Sequence, residues 1–300
     1  MWQQLLTGII QQDQRALARS ISYVENEVPG YENFLSQLPA GNASITGITG
    51  PPGAGKSTLV DALIHEWVSK EKKVGVLCVD PSSPFNLGAV LGDRIRMSEW
   101  YNHPNVFIRS LATRGALGGL HPHIIDITAL MQATGFDHII VETVGVGQSE
   151  IEIAGLADTT VVVVVPEAGD EVQTMKAGLM EIADIFVVNK SDRPEADLFV
   201  KNLRMMLAPA FYQTKTEIPV IKTVATHKTG IPELANAIEQ HQSATHHSER
   251  KDWLLTERAW KLIQQYRMND IDKELLKEKI AALRKKEAFN LFGFIQSYTK

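Results

Sequence analysis

A glycine-rich segment at residues 44–59 constrains the fold of this chain more than any other stretch. It reads SITGITGPPGAGKSTL, in which an apolar, β-branched run leads into Gly50 and, after four further residues, into Gly55, Lys56 and Ser57. A helical pattern of apolar residues follows at once. This is the spacing G-x-x-x-x-G-K-[ST] between a strand and a helix, and it predicts a P-loop.

The chemistry of such a loop is the binding of phosphate groups. Its glycines permit a backbone curl whose N–H groups converge on phosphate oxygens, and the following helix adds its N-terminal partial charge to the same site. We expect Lys56 to reach the β- and γ-phosphates and the Ser57 hydroxyl to bind Mg²⁺. The predicted nucleotide-binding residues of the loop are Gly50, Pro51, Pro52, Gly53, Ala54, Gly55, Lys56, Ser57 and Thr58.

Length and composition leave room for one large α/β domain with additions, or for two small domains. The 300 residues carry 30 basic and 35 acidic side chains, and the sequence contains no long basic run. We therefore expect no binding to nucleic acid or to anionic membranes. Apolar stretches fall short of the roughly 18 residues of a membrane helix, and the N-terminus lacks a secretory signal pattern. A cytoplasmic protein is expected.

Strand-like and helix-like segments alternate from residue 44 onward. Apolar runs predict strands at residues 74–79, 106–111, 138–142, 160–166, 185–189 and 219–223. Periodic segments predict helices at residues 124–133, 171–181, 196–207 and 231–239. Continuous apolar strands that alternate with helices indicate a mostly parallel sheet covered by helices on both faces. The predicted fold class is α/β, a P-loop NTPase with helical extensions at both ends.

Three domains are predicted along the chain. Residues 1–41 form an N-terminal helical extension, because apolar residues recur there at helical spacing. Residues 42–240 form the nucleotide-binding domain. The segment 239–252 is polar and has no apolar period, so we interpret it as a linker. Residues 241–300 are predicted to be a C-terminal helical arm that packs on the sheet or on another subunit.

A second motif predicts which base is bound. Residues 186–192 read FVVNKSD, an apolar strand that ends in N-K-x-D. At the carboxyl edge of a parallel sheet, the Asp192 carboxylate can accept hydrogen bonds from the ring N–H and the exocyclic amino group of guanine. Adenine has no such donor pair, so the buried acceptor would be left unpaired. Asn189 and Lys190 are expected to brace the loop and cover the base. The motif indicates GTP, not ATP.

Three acidic residues are candidates for the metal and hydrolysis site. Glu142 ends the strand HIIVE, and three residues later comes Gly145, whose N–H is placed to sense the γ-phosphate. Asp80 ends another predicted strand, and Asp93 follows in a segment that contains Pro, Ser and Gly. Such carboxylates can hold Mg²⁺ and its water beside the phosphates. Each of four arginines is a candidate for an anion contact, a cis arginine finger or a structural ion pair: Arg94, Arg96, Arg109 and Arg114.

Seven motifs, in order, carry a resemblance to a known family: RALARSISYVEN, GPPGAGKST, VDPSSPF, LGDRIRM, RSLATRGALGGL, VETVGVGQSE and EAGDEVQTMKAGLMEIADIFVVNKSD. Over about residues 12–235 the chain resembles the methylmalonyl-CoA mutase-associated GTPases. This group includes the bacterial mutase chaperone and the human methylmalonic aciduria type A protein, and some members were once named lysine/arginine/ornithine transport kinases. It belongs to the SIMIBI-class GTPases, in a subgroup marked by a glutamate in the position of Glu142.

The resemblance implies GTP/GDP and Mg²⁺ as ligands, bound by the P-loop residues Lys56 and Ser57. The residues that match the family's metal-site and hydrolysis acids are Asp80, Asp93 and Glu142, and those that match its guanine contacts are Asn189, Lys190 and Asp192. Residues 167–176 match an additional switch that signals the nucleotide state. Pro166-Glu167 stands where the family pattern has Pro-Gly, and VATHKTG at residues 224–230 is a loose version of the usual base loop.

The resemblance also implies a partner and an assembly. The protein would be a homodimer supported by its C-terminal arm, and its partner would be an adenosylcobalamin-dependent methylmalonyl-CoA mutase. By GTP binding and hydrolysis it would gate the delivery of adenosylcobalamin and protect or reactivate the mutase. Ethylmalonyl- and isobutyryl-CoA mutases remain open as partners.

Two other functions remain as alternatives. A SIMIBI GTPase that inserts a metal into a metalloenzyme would need a thiol or histidine site. The chain has one cysteine, Cys78, in an apolar strand-like run, and histidines at positions 121, 123, 246 and 247 that are candidates for such a site. A kinase linked to amino-acid transport would need an acceptor site and a base, neither of which the sequence identifies.

Overall fold

The computed structural model describes residues 1–80, 97–113, 120–143, 152–168, 179–214, 218–245, 249–268, 270–285 and 289–298. The chain forms two compact units, Met1–Leu254 and Leu255–Lys300. In the part of the chain that is described, no helix is both long enough and apolar enough to cross a bilayer.

The first unit is built on a sheet of seven strands. They are β1 (Ser44–Thr49), β2 (Val74–Asp80), β3 (Val106–Ala112), β4 (His138–Glu142), β5 (Thr159–Val164), β6 (Ile185–Val188) and β7 (Val220–Lys222). Their spatial order is β3-β2-β4-β1-β5-β6-β7, and every pairing between them is parallel. All residues of the central strand β1 are buried, as the continuous apolar pattern requires. The predicted parallel α/β fold is confirmed.

Eleven α-helices lie in the described ranges. They are α1 (Trp2–Ile10), α2 (Gln14–Glu25), α3 (Tyr31–Leu35), α4 (Lys56–Ser69), α5 (Ile124–Ala133), α6 (Leu179–Ile182), α7 (Ala196–Thr214), α8 (Ile231–Thr245), α9 (Glu249–Arg267), α10 (Lys273–Arg284) and α11 (Leu291–Ile295). Short 3₁₀ turns occur at Ser98–Trp100, Ile153–Gly155, Pro166–Ala168 and Ala225–His227.

Helices cover both faces of the sheet. On one face, apolar side chains of α1, α2 and α5 pack against those of β1, β2 and β4. On the opposite face, α4 and α8 pack against the alternate residues of the strands, including Val161 and Val163. The intervening residues Val162 and Val164 face α6 and α7 instead. The strand at residues 159–164 is therefore buried on both sides, which explains its uninterrupted run of apolar residues.

The prediction of a linker at residues 239–252 is wrong at both ends, because α8 continues to Thr245 and α9 begins at Glu249. Residues 246–248 lie outside the described ranges. Two polar side chains of the α8 extension are satisfied by hydroxyl groups of the sheet. Gln242 Nε2 donates to Thr46 Oγ1 at 3.0 Å, and His241 Nδ1 lies 2.8 Å from Thr159 Oγ1. A polar sequence thus belongs to the packed unit, since its hydrogen-bonding groups have partners there. Of the predicted helix at 171–181, residues 171–178 lie outside the described ranges.

One buried histidine gives the fold a defined pH dependence. The ring of His138, at the start of β4, stacks on Trp67 of α4, with ring centroids 4.1 Å apart and planes inclined by 8°. Burial lowers the pKa of His138 below its ordinary value of 6.5, and the nearby Glu239 and Asp137 carboxylates oppose this shift only in part. A histidine held neutral in the folded state contributes stability at pH above 6.5, and this contribution is lost as the pH falls, because the unfolded chain takes up the proton first.

We therefore expect unfolding at about pH 5.5 to have a lower urea midpoint than unfolding at about pH 7.5. In His138→Gln, the difference between the two midpoints should be smaller. Unfolding followed by circular dichroism at both pH values measures this. His227→Gln, at an exposed histidine, is the control and should keep the wild-type pH dependence. An unchanged slope in the His138→Gln variant would contradict the assignment.

Candidate nucleotide-binding site

The loop between β1 and α4 can be formed only by glycine at two positions. Gly50 has a φ of +138°, and a Cβ atom there would lie 2.0 Å from the carbonyl oxygen of Val163 in β5. Gly55 has a φ of +87°, and a Cβ atom there would lie 2.5 Å from Nδ2 of Asn189. Both residues combine a left-handed backbone with a close approach to a neighbouring strand or loop, so any side chain would push the loop out of place.

The side chain of the P-loop lysine folds back over the backbone of the loop. Lys56 is the first residue of α4, and its Nζ donates to the carbonyl oxygens of Gly50 at 2.9 Å and Pro51 at 3.0 Å. Only 6% of the residue is exposed. The ammonium group is thus held over the curl of the loop, where the sequence places the phosphates.

A cavity of about 410 Å³ lies between this loop and the carboxyl ends of two strands. Its lining residues are Pro52, Gly53, Gly55, Lys56, Ser57, Thr58, Cys78, Val79, Asp80, Glu142, Thr143 and Lys190. Most of the predicted phosphate-binding and metal-binding residues therefore face one space, at the edge of a parallel sheet where ligands bind.

Oxygen donors meet at the floor of this cavity. Ser57 Oγ donates to Glu142 Oε1 at 2.7 Å, and both residues are buried. Asp80, at the end of the adjacent strand β2, lines the same cavity and is also buried. A hydroxyl group and two carboxylates are the hard ligands that Mg²⁺ prefers, so the donor set fits this ion. Asp93 and Gly145 lie outside the described residues.

The asparagine of the N-K-x-D motif joins three parts of the site. Asn189 follows β6 and is 2% exposed. Its Nδ2 donates to the carbonyl oxygen of Ala54 at 2.9 Å, while its Oδ1 accepts from Thr223 Oγ1 at 3.1 Å and from the Ala225 N–H at 3.2 Å. One amide group therefore ties the P-loop to the loop that follows β7. The N-K-x-D pattern predicts a bracing role for Asn189. Its partner Ala225 lies in the segment 224–230 that loosely matches the family's base loop, whereas its partner Thr223 lies in no motif.

The two other residues of the motif occupy different positions. Lys190 has a left-handed φ of +56°, and its Nζ donates to the carbonyl oxygen of Gly53 at 2.8 Å. Asp192 is exposed and does not line the phosphate cavity. It lines an adjacent groove together with Ser191 and with Val224, Thr229 and Gly230 of the loop after β7.

Among the candidate arginines, Arg109 makes a structural ion pair. Its Nη2 donates to Ser22 Oγ at 3.1 Å and to the Glu25 carboxylate, so it joins β3 to α2. It does not line the phosphate cavity. Arg94, Arg96 and Arg114 lie outside the described residues.

The sequence motifs assign no role to Arg193, which directly follows the N-K-x-D motif. Arg193 donates from Nη1 to the Glu167 carboxylate, and this hydrogen bond is the main reason why the pKa of Glu167 is lowered. Glu167 begins the segment that resembles an additional switch. The loop that carries the N-K-x-D motif therefore contacts the start of that segment through the ion pair between Arg193 and Glu167.

Comparison with known proteins identifies the family. The model of the family described as methylmalonyl Co-A mutase-associated GTPase MeaB matches residues 17–280. The chain belongs to the MeaB family. It is 49% identical to a Pyrococcus abyssi protein named as a GTPase, over 83% of this chain and 79% of that one. It is 36% identical to the Escherichia coli GTPase ArgK, over 78% of this chain and 74% of that one.

Two further similarities extend the comparison. The mitochondrial methylmalonic aciduria type A homolog of Mus musculus is 36% identical over 73% of this chain and 55% of that one. A crystal structure titled LAO/AO transport system kinase superposes with a TM-score of 0.65 at 25% identity, and covers 99% of this chain and 95% of that one. This member of the MeaB family is a P-loop GTPase and binds guanine nucleotide.

Replacing Asn189 tests how strongly nucleotide affinity in this MeaB-family protein depends on the hydrogen bonds of its side chain. In Asn189→Ala, the Thr223 hydroxyl and the Ala54 carbonyl lose a buried partner. We expect GDP affinity to fall by about tenfold or more, since each abandoned buried group costs roughly 1–3 kcal/mol. Titration with a fluorescent GDP analogue measures it. Asn202→Ala, at an exposed position of α7, is the control and should bind like wild type. Equal affinity in both variants would contradict the bracing role.

Proposed function

We propose that this chain is a Mg²⁺-dependent GTPase that serves an adenosylcobalamin-dependent methylmalonyl-CoA mutase, or a related acyl-CoA mutase, as a chaperone. It gates the loading of adenosylcobalamin and protects or reactivates the mutase. The observation that carries the proposal is the family match over residues 17–280, which includes the P-loop, both acidic strand ends and the N-K-x-D motif.

The residues of the cavity support metal-dependent hydrolysis. Bound Mg²⁺ would neutralise charge on the phosphate oxygens. We assign its binding to Ser57, Asp80, Asp93 and Glu142, of which Ser57 and Glu142 already share a hydrogen bond. Lys56 would exchange its contacts with loop carbonyl oxygens for contacts with phosphate oxygens. Carboxylates beside the phosphates would also orient the attacking water, and the Gly145 N–H would sense the γ-phosphate.

Coupling to the mutase is assigned to residues 167–176. The ion pair between Glu167 and Arg193 supports this assignment, because it connects the segment to the loop that recognises the base. A conformational change in the loop of the N-K-x-D motif would thereby reach the segment directly through Arg193. Glu167 stands at a position where the family pattern has glycine, which has no side chain to make this contact.

The second unit supports a homodimer. Neither α10 nor α11 contains a buried residue. Large apolar side chains of α9 and α11 are exposed, among them Trp260 at 59% and Phe292 at 79%. Several large exposed apolar and aromatic side chains within one short segment are typical of an interface. The arm is predicted from the sequence at residues 241–300, but residues 241–245 belong to α8 of the first unit, so we propose that the second unit, Leu255–Lys300, forms the dimerisation arm.

Guanine recognition by Asp192 is tested by replacing one carboxylate oxygen of this side chain with an amide nitrogen. In Asp192→Asn, one carboxylate oxygen that would accept from guanine becomes a donor. We expect GDP affinity to fall by more than about tenfold, while the affinity for xanthosine diphosphate, which carries an oxygen in place of the exocyclic amino group, should rise. Competition titration with both nucleotides measures the preference. Asp197→Asn, at a nearby exposed carboxylate paired with Lys222, is the matched control. An unchanged preference for GDP in Asp192→Asn would exclude the proposed contact.

The partner is tested by GTP hydrolysis with and without a purified adenosylcobalamin-dependent methylmalonyl-CoA mutase. We expect slow release of inorganic phosphate from GTP alone and a several-fold rise with the mutase. ATP should give no rise, and Lys56→Ala should abolish hydrolysis in both cases. GTP hydrolysis that is indifferent to the mutase would argue against this client. Labelled phosphate on a protein acceptor would support a kinase instead.

A further inference from the structure

A cluster of side chains that can bind a metal ion lies between α4 and the turn Ser98–Trp100, outside the nucleotide cavity. It consists of Asp61, His65 and Glu99, and one ligand atom of each residue lies within 4.8 Å of the other two. Asp61 and His65 are one helical turn apart, so they project from the same face of α4. Glu99 belongs to the 3₁₀ turn Ser98–Trp100. None of the three residues lines the phosphate cavity.

Trp100 orients two members of this cluster. Its indole Nε1 donates to Asp61 Oδ1 at 2.8 Å. Its ring meets the ring of His65 edge-on, with centroids 4.5 Å apart and planes inclined by 75°. Trp100 is only 6% exposed, so it provides a fixed support for both side chains. Hydrogen-bonded carboxylates and packed imidazoles are the arrangement that surrounds metal ligands in proteins.

The donor set selects the kind of ion. We propose that Asp61, His65 and Glu99 bind a Zn²⁺ ion, with water completing the coordination. One imidazole nitrogen and two carboxylate oxygens suit zinc, whereas Mg²⁺ and Ca²⁺ prefer oxygen ligands alone. Zinc binds such atoms at roughly 2.0–2.2 Å, which places neighbouring ligand atoms closer than 4.8 Å and requires small side-chain rotations.

The charges of the cluster favour a cation. The Asp61 and Glu99 carboxylates lie in the same group and repel each other, and a divalent ion between them would cancel both charges. His65 and Glu99 also form a partly exposed pair, with Nε2 and Oε1 2.9 Å apart. Such an exposed pair contributes little to stability by itself. It does, however, bring the imidazole and the carboxylate together, so the metal would find two of its ligands already in contact.

The position of the site determines what the ion would do. Helix α4 begins with the P-loop residue Lys56, and Glu99 closely follows residues 81–96, which include Asp93. Zinc held by both elements would tie the helix of the phosphate-binding loop to the turn at Ser98–Trp100. The expected result is a higher melting temperature in the presence of Zn²⁺.

Equilibrium dialysis of the full chain against ZnCl₂ tests the site at about pH 8, because a neutral imidazole is the metal-binding form. We expect one more bound Zn²⁺ per chain in the wild type than in His65→Gln, and at least about tenfold weaker binding in Asp61→Asn. Sites elsewhere contribute equally to all variants, so the difference counts the ions held by this cluster. Glu66→Gln is the matched control, because Glu66 adjoins His65 but pairs with Lys70.

Two measurements keep the result interpretable. GDP titration of each variant establishes that it is folded, and a thermal melt with and without ZnCl₂ provides a second readout. We expect zinc to raise the melting temperature of the wild type and of Glu66→Gln, but not that of His65→Gln. Equal zinc binding in His65→Gln and the wild type would overturn the proposal, as would a wild type that binds no zinc.

Discussion

The nucleotide-binding site depends on two places where the P-loop backbone, at Gly50 and at Gly55, comes close to neighbouring residues. Both approaches lie on the side of β1 occupied by β5 and β6, because Gly50 meets Val163 and Gly55 meets Asn189. Glu142 of β4 contacts Ser57 on one side, while β5 and the end of β6 contact the loop on the other. An edge position for β1 would remove one set of these contacts. The central place of β1 in the sheet therefore allows the loop to be contacted from both sides.

The same strand order separates the tasks of the site. The ends of β2 and β4, on one side of β1, supply the carboxylates beside Ser57. The end of β6, on the other side, supplies Asn189 and Lys190, which hold the loop through the carbonyl oxygens of Ala54 and Gly53. The carboxylates that we propose for Mg²⁺ and the residues of the N-K-x-D motif thus reach the phosphate-binding loop from opposite directions.

Much of the fold could be predicted from the sequence, because buried parallel strands are continuous apolar runs and the P-loop fixes where the first one ends. The contact between Ser57 and Glu142 could be expected only as a shared metal site, since a motif places residues at strand ends but not side chains against each other. The contact between Asn189 and Thr223 could not be predicted, because Thr223 lies 34 positions along the chain and carries no motif. The extension of α8 was missed for a related reason: Gln242 is polar, but its partner is a hydroxyl group of β1 that periodicity cannot reveal.

The N-terminal helices are bound to the sheet by charge as well as by apolar packing. Glu25 of α2 pairs with Arg109 of β3, and His123 contacts both Glu27 and Asp126 at the start of α5. Burial opposes the charged form of His123, but the hydrogen bonds to these two carboxylates outweigh it, so its pKa is raised above 6.5. Its contribution to stability is therefore complete below pH 6.5 and is lost as the pH rises through the folded-state pKa, the opposite sign to His138. The two histidines act on the same unit from its two faces, and their opposing slopes favour a stability maximum between the folded-state pKa values of His138 and His123.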